Sequence, residues 1–151
     1  VDKYGNINST VIGDYFDPKV RLPGSGGAND IASFANRTVI IVPHQKRKFP
    51  KKIHYITSPG YLQGAGARQE QGLGGEGPQK VITDLAVMGF DEETKQMKLK
   101  SVHPGVSVEE VKENTGFELL IPEKITETKV PSEKEIELIR QIDPNNIYLK
   151  Y

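Results

Sequence analysis

The fold of this chain is decided by a glycine loop and the two apolar segments that follow it. The stretch reads Gly24-Ser25-Gly26-Gly27-Ala28-Asn29-Asp30-Ile31-Ala32-Ser33-Phe34-Ala35 and then, after a short break, Thr38-Val39-Ile40-Ile41-Val42-Pro43. Ile31 and Phe34 share one helical face, and Asn29 or Asp30 can cap the first turn, which predicts a short helix. The β-branched run up to the proline is typical of a strand buried on both faces. Loop, helix and buried strand in this order predict an α/β sheet.

Later in the chain we expect a second strand at residues 53–57, followed by about twenty residues of glycine-rich loop at 58–79. Loops of that length in compact domains are usually functional or disordered. Residues 80–84, 86–90 and 97–102 carry strand patterns that together predict a small antiparallel meander. Ser107 and Ser132 are capping residues of two predicted helices, the second of which spans 132–142 and ends before Pro144.

The bulk composition is that of one globular α/β domain covering residues 1–151. Twenty basic residues balance twenty acidic ones, which gives no indication of a nucleic-acid or membrane-surface binder. The sequence has no cysteine, so disulfides, thiolate zinc sites and a cysteine nucleophile are excluded. We expect a cytoplasmic protein. The chain begins at Val1 without a methionine or a secretion signal, and no stretch reaches the roughly 20 apolar residues of a membrane helix.

The glycine loop is the sharpest chemical feature. Residues without side chains let a ligand approach backbone N–H groups, and a helix that starts just after them adds the positive end of its dipole. Such a site suits a phosphate, a carboxylate or a thioester oxygen that carries developing charge. Neither a Walker motif nor a dinucleotide fingerprint is present. A tight turn that requires positive φ angles explains the loop equally well.

Other polar residues allow two interpretations each. Asn6 and Asn8 flank Ile7, so their amides could bind a substrate carbonyl from one face, or could form local turn hydrogen bonds. A basic cluster could receive the phosphates of a nucleotide-containing cofactor, or could be a solvated loop. Its members are His44, Lys46, Arg47, Lys48, Lys51 and Lys52. The three histidines match no ligand spacing, so no metal site is predicted.

Five stretches, in order, resemble the β subunit of family I coenzyme A (CoA) transferases, in particular those similar to glutaconate CoA-transferase. They are Asp2-Lys3-Tyr4-Gly5-Asn6-Ile7-Asn8-Ser9-Thr10, Gly13-Asp14-Tyr15, Gly24-Ser25-Gly26-Gly27-Ala28-Asn29, Tyr55-Ile56-Thr57-Ser58-Pro59-Gly60 and Glu113-Asn114-Thr115-Gly116-Phe117. The resemblance implies an open α/β sheet with the antiparallel meander and a C-terminal helix. It also implies a homologous α subunit as partner.

The resemblance further implies covalent catalysis. A glutamate carboxylate attacks the acyl-CoA thioester and gives an acyl–glutamyl anhydride and CoA thiolate. The thiolate then attacks the anhydride, which gives a glutamyl-CoA thioester and releases the first acid as its carboxylate, and a second acid exchanges onto the thioester. Backbone N–H groups hold the oxyanion. In such subunits the glutamate lies in a Glu-Ser-Gly-like motif upstream of the Asn6 stretch, and no such motif is present here. We therefore expect the C-terminal portion of a β subunit, with no catalytic residue of its own.

By the same resemblance, Gly24, Gly26, Gly27 and Ala28 would line the CoA and acyl site, with Asn8 nearby. CoA would be a substrate, and no tightly bound cofactor is expected. Two alternatives remain open. The chain could be the β part of a CoA-ester ring-opening hydrolase of the same fold, which residues 101–106 resemble at least as closely, or a non-catalytic binding or assembly domain.

Overall fold

The described part of the chain, residues 1–145 and 147 of a computed structural model, forms two sheets with short helices around them. Its strands are β1 (Val11–Gly13), β2 (Pro18–Arg21), β3 (Thr38–Ile41), β4 (Pro78–Ile82), β5 (Ala86–Phe90), β6 (Met97–Val102) and β7 (Thr126–Glu127). Its helices are α1 (Ala28–Phe34), α2 (Ala67–Glu70), α3 (Val108–Glu113) and α4 (Glu133–Ile142), and Lys46–Lys48 form a 3₁₀ turn.

The larger sheet has the strand order β3-β4-β5-β6-β7 and mixes both strand directions. β3 pairs with β4 in parallel, whereas β4, β5 and β6 form consecutive antiparallel pairs. The predicted α/β class and the antiparallel meander are thus confirmed. Because β1 and β2 form a separate antiparallel hairpin, the segment before the glycine loop lies outside this sheet.

The hydrophobic core is formed by the meander strands β4–β6 together with Phe49, Val111 on α3 and Leu119. Alternation along β6 turns Met97 and Leu99 inward, and in the β5–β6 register Leu99 lies opposite Met88. Burial of each such side chain contributes about 1.5–3 kcal/mol. The buried members of the core are Phe49, Val81, Ala86, Met88, Met97, Leu99, Val111 and Leu119.

The predicted helices after the meander are confirmed by their caps. The Ser107 hydroxyl accepts a hydrogen bond from the Glu110 amide over 3.1 Å at the start of α3. Ser132 and Glu135 form a complete capping box at the start of α4. Within the described residues no helix is long and apolar enough to cross a membrane.

The expectation that residues 38–43 form a strand buried on both faces is wrong. β3 ends at Ile41, pairs with β4 alone among the described residues, and leaves the Ile41 side chain 79% exposed. Phe34 on the apolar face of α1 is 68% exposed as well. A continuous β-branched run is buried on both faces only where other segments pack against both faces of the sheet. Residues 1–145 and 147 leave the Ile41 end of β3 uncovered.

Two further expectations are also wrong. Residues 53–57 form no strand, and the isolated bridge between Ser58 and Ile7 lies just after them. Neither Asn29 nor Asp30 caps α1. The N-cap is Gly27 and no side chain bonds to the cap, because the Asn29 amide donates instead to the Thr57 carbonyl oxygen over 2.6 Å.

Candidate functional site

The glycine loop connects β2 to α1 and is shaped by left-handed backbone. Gly24 has a φ of 93° and Gly26 a φ of 52°, values that residues with side chains rarely adopt. The Gly24 amide donates to the Ser9 carbonyl oxygen over 2.7 Å, and the Ala28 amide donates to the Ser25 carbonyl oxygen over 3.0 Å. The turn explanation is therefore correct for the backbone, and it does not exclude a ligand.

The surface of the loop is open. A Cβ atom placed on Gly24, Gly26 or Gly27 would meet nothing within 4 Å. Among the described residues, the amides of Gly26 and Gly27 have no hydrogen-bond acceptor. Two backbone N–H groups on an open surface can donate to an oxygen atom on which negative charge develops.

Thr57 holds the loop from both sides. Its buried hydroxyl accepts from the Ser9 amide over 2.8 Å and lies 2.8 Å from the Thr10 hydroxyl, just before the hairpin. Its carbonyl oxygen accepts the side-chain amide of Asn29 on α1. Because one residue bonds to the chain before and after residues 24–27, the loop has little freedom to collapse.

The two asparagines that flank Ile7 have different environments. Asn6 is fully buried, and its side chain donates to Asp2 Oδ2 and the Leu62 carbonyl oxygen and accepts from the amides of Gly60 and Leu62. Asn8 bonds locally, since it donates to the Val11 carbonyl oxygen and accepts from the amides of Thr10 and Val11. Local turn bonding is therefore correct for Asn8, whose residue also lines a cavity with Ile7 and Leu22.

Arg68 is a residue whose place the sequence did not indicate. It is only 3% exposed, and its guanidinium joins the glycine-rich segment to α1. It donates to the carbonyl oxygens of Pro59, Gly60, Ala32, Ser33 and Gly74. Among the described residues its Nε has no acceptor. The long segment 58–79 is therefore held against α1. An arginine inside a glycine-rich stretch was the available indication in the sequence.

His44 is buried and therefore does not belong to the basic cluster that the sequence predicts at residues 44–52. Its ring is buried against Phe49, with 4.6 Å between the ring centroids. Thr83 Oγ1 accepts from the amides of Leu85 and Ala86, donates its hydroxyl hydrogen to the Ala86 carbonyl oxygen over 3.0 Å, and lies 3.0 Å from His44 Nδ1. The Thr115 hydroxyl donates its hydrogen to the Val111 carbonyl oxygen over 2.7 Å, so Thr115 Oγ1 accepts from His44 Nε2, which lies 3.0 Å away. Burial lowers the pKa of His44, and nearby Asp84 opposes this in part.

The other two histidines do not join His44 around a common centre. His103 Nε2 lies 2.8 Å from the Thr83 carbonyl oxygen, and His54 is exposed beside the basic segment. Among residues 1–145 and 147, no group of three or more histidine, aspartate or glutamate side chains could hold a metal ion.

The family of the chain follows from comparison with known proteins. The family model described as Coenzyme A transferase matches residues 1–114, three quarters of the chain. This chain belongs to the coenzyme A transferase family. Its fold agrees, because the crystal structure of glutaconate coenzyme A-transferase from Acidaminococcus fermentans superimposes with a TM-score of 0.89 at 49% identity, covering 100% of this chain and 58% of that one.

Relatives within the coenzyme A transferase family differ in how similar they are. The β subunit of glutaconate CoA-transferase from Acidaminococcus fermentans is 49% identical over 99% of this chain and 56% of its own length. The β subunit of 3-oxoadipate CoA-transferase from Pseudomonas knackmussii is 46% identical over 95% of this chain and 55% of its own length. The cholesterol ring-cleaving hydrolase IpdB subunit of Rhodococcus jostii is only 25% identical, over 97% of this chain and 58% of its own length. The chain thus spans a little over half the length of these relatives.

Proposed function

We propose that this chain is the C-terminal portion of a CoA-transferase β subunit and that the complete protein moves CoA between an acyl-CoA and a carboxylic acid. The glycine loop carries this proposal. In it, Gly24, Gly26, Gly27 and Ala28 line the site of the CoA thioester, and the free amides of Gly26 and Gly27 stabilise the oxyanion of the attacked thioester. Asn8 lies beside the site, and CoA acts as a substrate with no tightly bound cofactor.

The attacking group is supplied from outside this chain. The covalent mechanism requires a glutamate carboxylate that becomes an acyl anhydride and then a glutamyl-CoA thioester. We place this glutamate in the part of the β subunit that precedes residue 1. The apolar surface on α1 and β3, with Phe34 and Ile41 exposed, supports a further part of the protein packing there.

The partner in this proposal is a homologous α subunit. Each of the two transferase relatives is named as one of the subunits of its enzyme, which supports a protein of two kinds of subunit. The acids in their names, glutaconate and 3-oxoadipate, are the substrates to be tested first. We place the assembled protein in the cytoplasm.

Hydrolysis of a CoA ester is the competing proposal. The hydrolase relative is 25% identical, against 49% and 46% for the transferase subunits, which favours transfer. No feature of the glycine loop favours a non-catalytic binding or assembly role over catalysis.

The experiment uses the full-length β subunit assembled with its α subunit. The protein is incubated with glutaconyl-CoA, treated with borohydride to reduce any enzyme thioester, digested and examined by mass spectrometry. A reduced glutamate upstream of residue 1, together with CoA transfer to added acid, is the expected result. Consumption of the CoA ester by water without a modified glutamate would replace the transferase with the hydrolase. No consumption and no modification would leave a binding domain.

A further inference from the structure

The two free backbone amides of the glycine loop belong to a segment that is tied to the rest of the protein on both sides. Before them, the Gly24 amide donates to the Ser9 carbonyl oxygen over 2.7 Å. After them, the side-chain amide of Asn29 donates to the Thr57 carbonyl oxygen over 2.6 Å. The positions of the two amides therefore depend on where Ser9 and Thr57 lie relative to each other.

The side-chain hydroxyl of Thr57 sets that relative position. Thr57 is only 7% exposed, and its Oγ1 accepts from the Ser9 amide over 2.8 Å. Ser9 thus donates to Thr57 through its N–H and accepts from Gly24 through its carbonyl oxygen. One residue therefore carries the position of the Thr57 hydroxyl to the start of the loop.

A second path runs from the same oxygen atom through Thr10. The Thr10 hydroxyl lies 2.8 Å from Thr57 Oγ1, within hydrogen-bond distance. The Thr10 carbonyl oxygen accepts from the amide of Leu22, two residues before Gly24, over 2.9 Å. Because both paths meet at one atom, removal of that atom releases the near side of the loop from residues 57–58.

The backbone of Thr57 is held by bonds that do not involve its side chain. The amides of Thr57 and Ser58 both donate to the Ile7 carbonyl oxygen, over 2.8 Å and 3.1 Å. A side chain without the hydroxyl leaves these bonds in place. The position of residues 57–58 can thus be separated from the position of the loop by a change of side chain alone.

We propose that Thr57 is a positioning residue for the reaction, whose hydroxyl holds the amides of Gly26 and Gly27 where the oxyanion of the attacked thioester forms. Thr57 acts through Ser9, Thr10 and the loop rather than by touching the substrate. Backbone donors stabilise an oxyanion only when they are fixed in place before the charge develops. A displacement of about 1 Å costs about 100-fold in rate. This inference rests on the proposed function, because it assumes that the thioester reacts at the glycine loop.

The test compares Thr57→Val with Thr57→Ser in the full-length β subunit assembled with its α subunit. Valine has the same branched shape but no hydroxyl, so the Ser9 amide loses its acceptor, whereas serine keeps the hydroxyl. Thr115→Val is the matched structural control. Thr115 is also buried, and its hydroxyl makes two hydrogen bonds, with Val111 and His44 rather than with the chain around the loop.

The kcat and the KM for glutaconyl-CoA are measured at a temperature at which all four proteins are folded. Thr57→Val should lower kcat about 10–100-fold and leave KM within about twofold, because the amides act on the transition state rather than on the bound substrate. Thr57→Ser and Thr115→Val should keep kcat within about threefold, because neither removes a hydrogen bond that reaches the loop. A lower Tm is expected for Thr115→Val as for Thr57→Val.

Three results in an active wild type would overturn the role of Thr57 and leave the proposed function standing. They are equal kcat values for Thr57→Val and Thr57→Ser, an equal loss of kcat in Thr115→Val, and an effect of Thr57→Val confined to KM. A wild type that only hydrolyses the CoA ester replaces the transferase with the hydrolase, and the same comparison then decides the role of Thr57 in hydrolysis. A wild type that consumes no CoA ester removes the proposed function and this inference with it.

Discussion

The guanidinium of Arg68 donates a hydrogen bond to the carbonyl oxygen of Ser33 over 3.1 Å, and so links α2 to the last turn of α1. The same side chain donates to the Gly60 carbonyl oxygen over 2.9 Å, close to Thr57, which holds the glycine loop. Four carbonyl groups in addition to that of Ser33 depend on one buried cation. The position of the loop therefore depends on residues far from it in sequence.

Replacement of Arg68 by lysine should lower the free energy of unfolding by about 2–4 kcal/mol. The planar guanidinium of arginine reaches carbonyl groups on both of its sides. A lysine ammonium carries its three N–H donors on one nitrogen atom and cannot reach all of these carbonyl groups at once. Urea unfolding of the variant measures the loss. Arg37→Lys, at an exposed arginine, is the matched control and should change little. Equal stability of the two variants would show that the Arg68 network contributes nothing beyond its charge.

Gly60→Ala should destabilise the protein by about 3 kcal/mol or more. A Cβ at Gly60 would lie 2.3 Å from the Tyr4 carbonyl oxygen, and backbone there cannot move aside cheaply. Gly27→Ala is the contrasting change, because Gly27 has a φ of −78° and open space around it, so its cost should stay within about 1 kcal/mol. Thermal unfolding of both variants compares them, and a mild Gly60→Ala variant would contradict the close approach.

Gly26→Val should reduce turnover of the assembled enzyme at least about 100-fold, the usual effect of losing an oxyanion donor. A β-branched side chain fills the space proposed for the thioester and resists the φ of 52° that orients the amide.

The matched control for that variant is Gly105→Val. Gly105 also has a positive φ, of 80°, and open space, but lies outside the loop. Its variant should lose similar stability and retain turnover. Full activity of Gly26→Val, measured on protein shown to be folded, would remove the loop from the active site.

Acidification should weaken the fold through His44. Its pKa is lowered in the folded state, so as the pH falls the unfolded chain, with a histidine pKa of about 6.5, takes up the proton first. The stabilisation is therefore complete above that pH and is lost as the pH falls below it. Urea unfolding at a series of pH values from about 7.5 to 5.5 measures the slope.

His44→Gln should flatten this pH slope, even though its stability at neutral pH also falls with the loss of the Thr115 contact. The same substitution at exposed His54 is the control, and its slope should persist because His44 is still present. A His44→Gln variant with the full slope would assign the acid sensitivity to another group.

Patterns within one segment of sequence correctly predicted individual strands and helices. Alternation in residues 97–102 identified β6 and the meander, and the serines at 107 and 132 located the starts of α3 and α4. Each of these features depends on neighbours within a few residues, such as the Ser132–Glu135 box. The open glycine loop could be recognised for the same reason, since residues without side chains leave space wherever they occur.

The errors came from features that depend on distant parts of the chain. The run Thr38–Ile41 was correctly a strand, but its burial depends on what packs against it, and Ile41 stays exposed. Asn29 could cap its own helix, yet its amide bonds to Thr57 because that carbonyl oxygen lies within reach. Residues 53–57 have strand composition but pair with no other strand, and the isolated bridge to Ile7 is made by Ser58, just after them.

By itself, the sequence determined the α/β class, the meander, the capped helices and the glycine loop, because periodicity, capping and the absence of side chains are properties of neighbouring residues. The tertiary structure alone decided that Arg68 and His44 are buried, although both residue types are common at surfaces. The tertiary structure also places Arg47 and Lys52 in the wall of one cavity and Lys46 and Lys51 in the wall of another. Burial and local charge depend on which distant segments the chain brings together, and no short pattern records that.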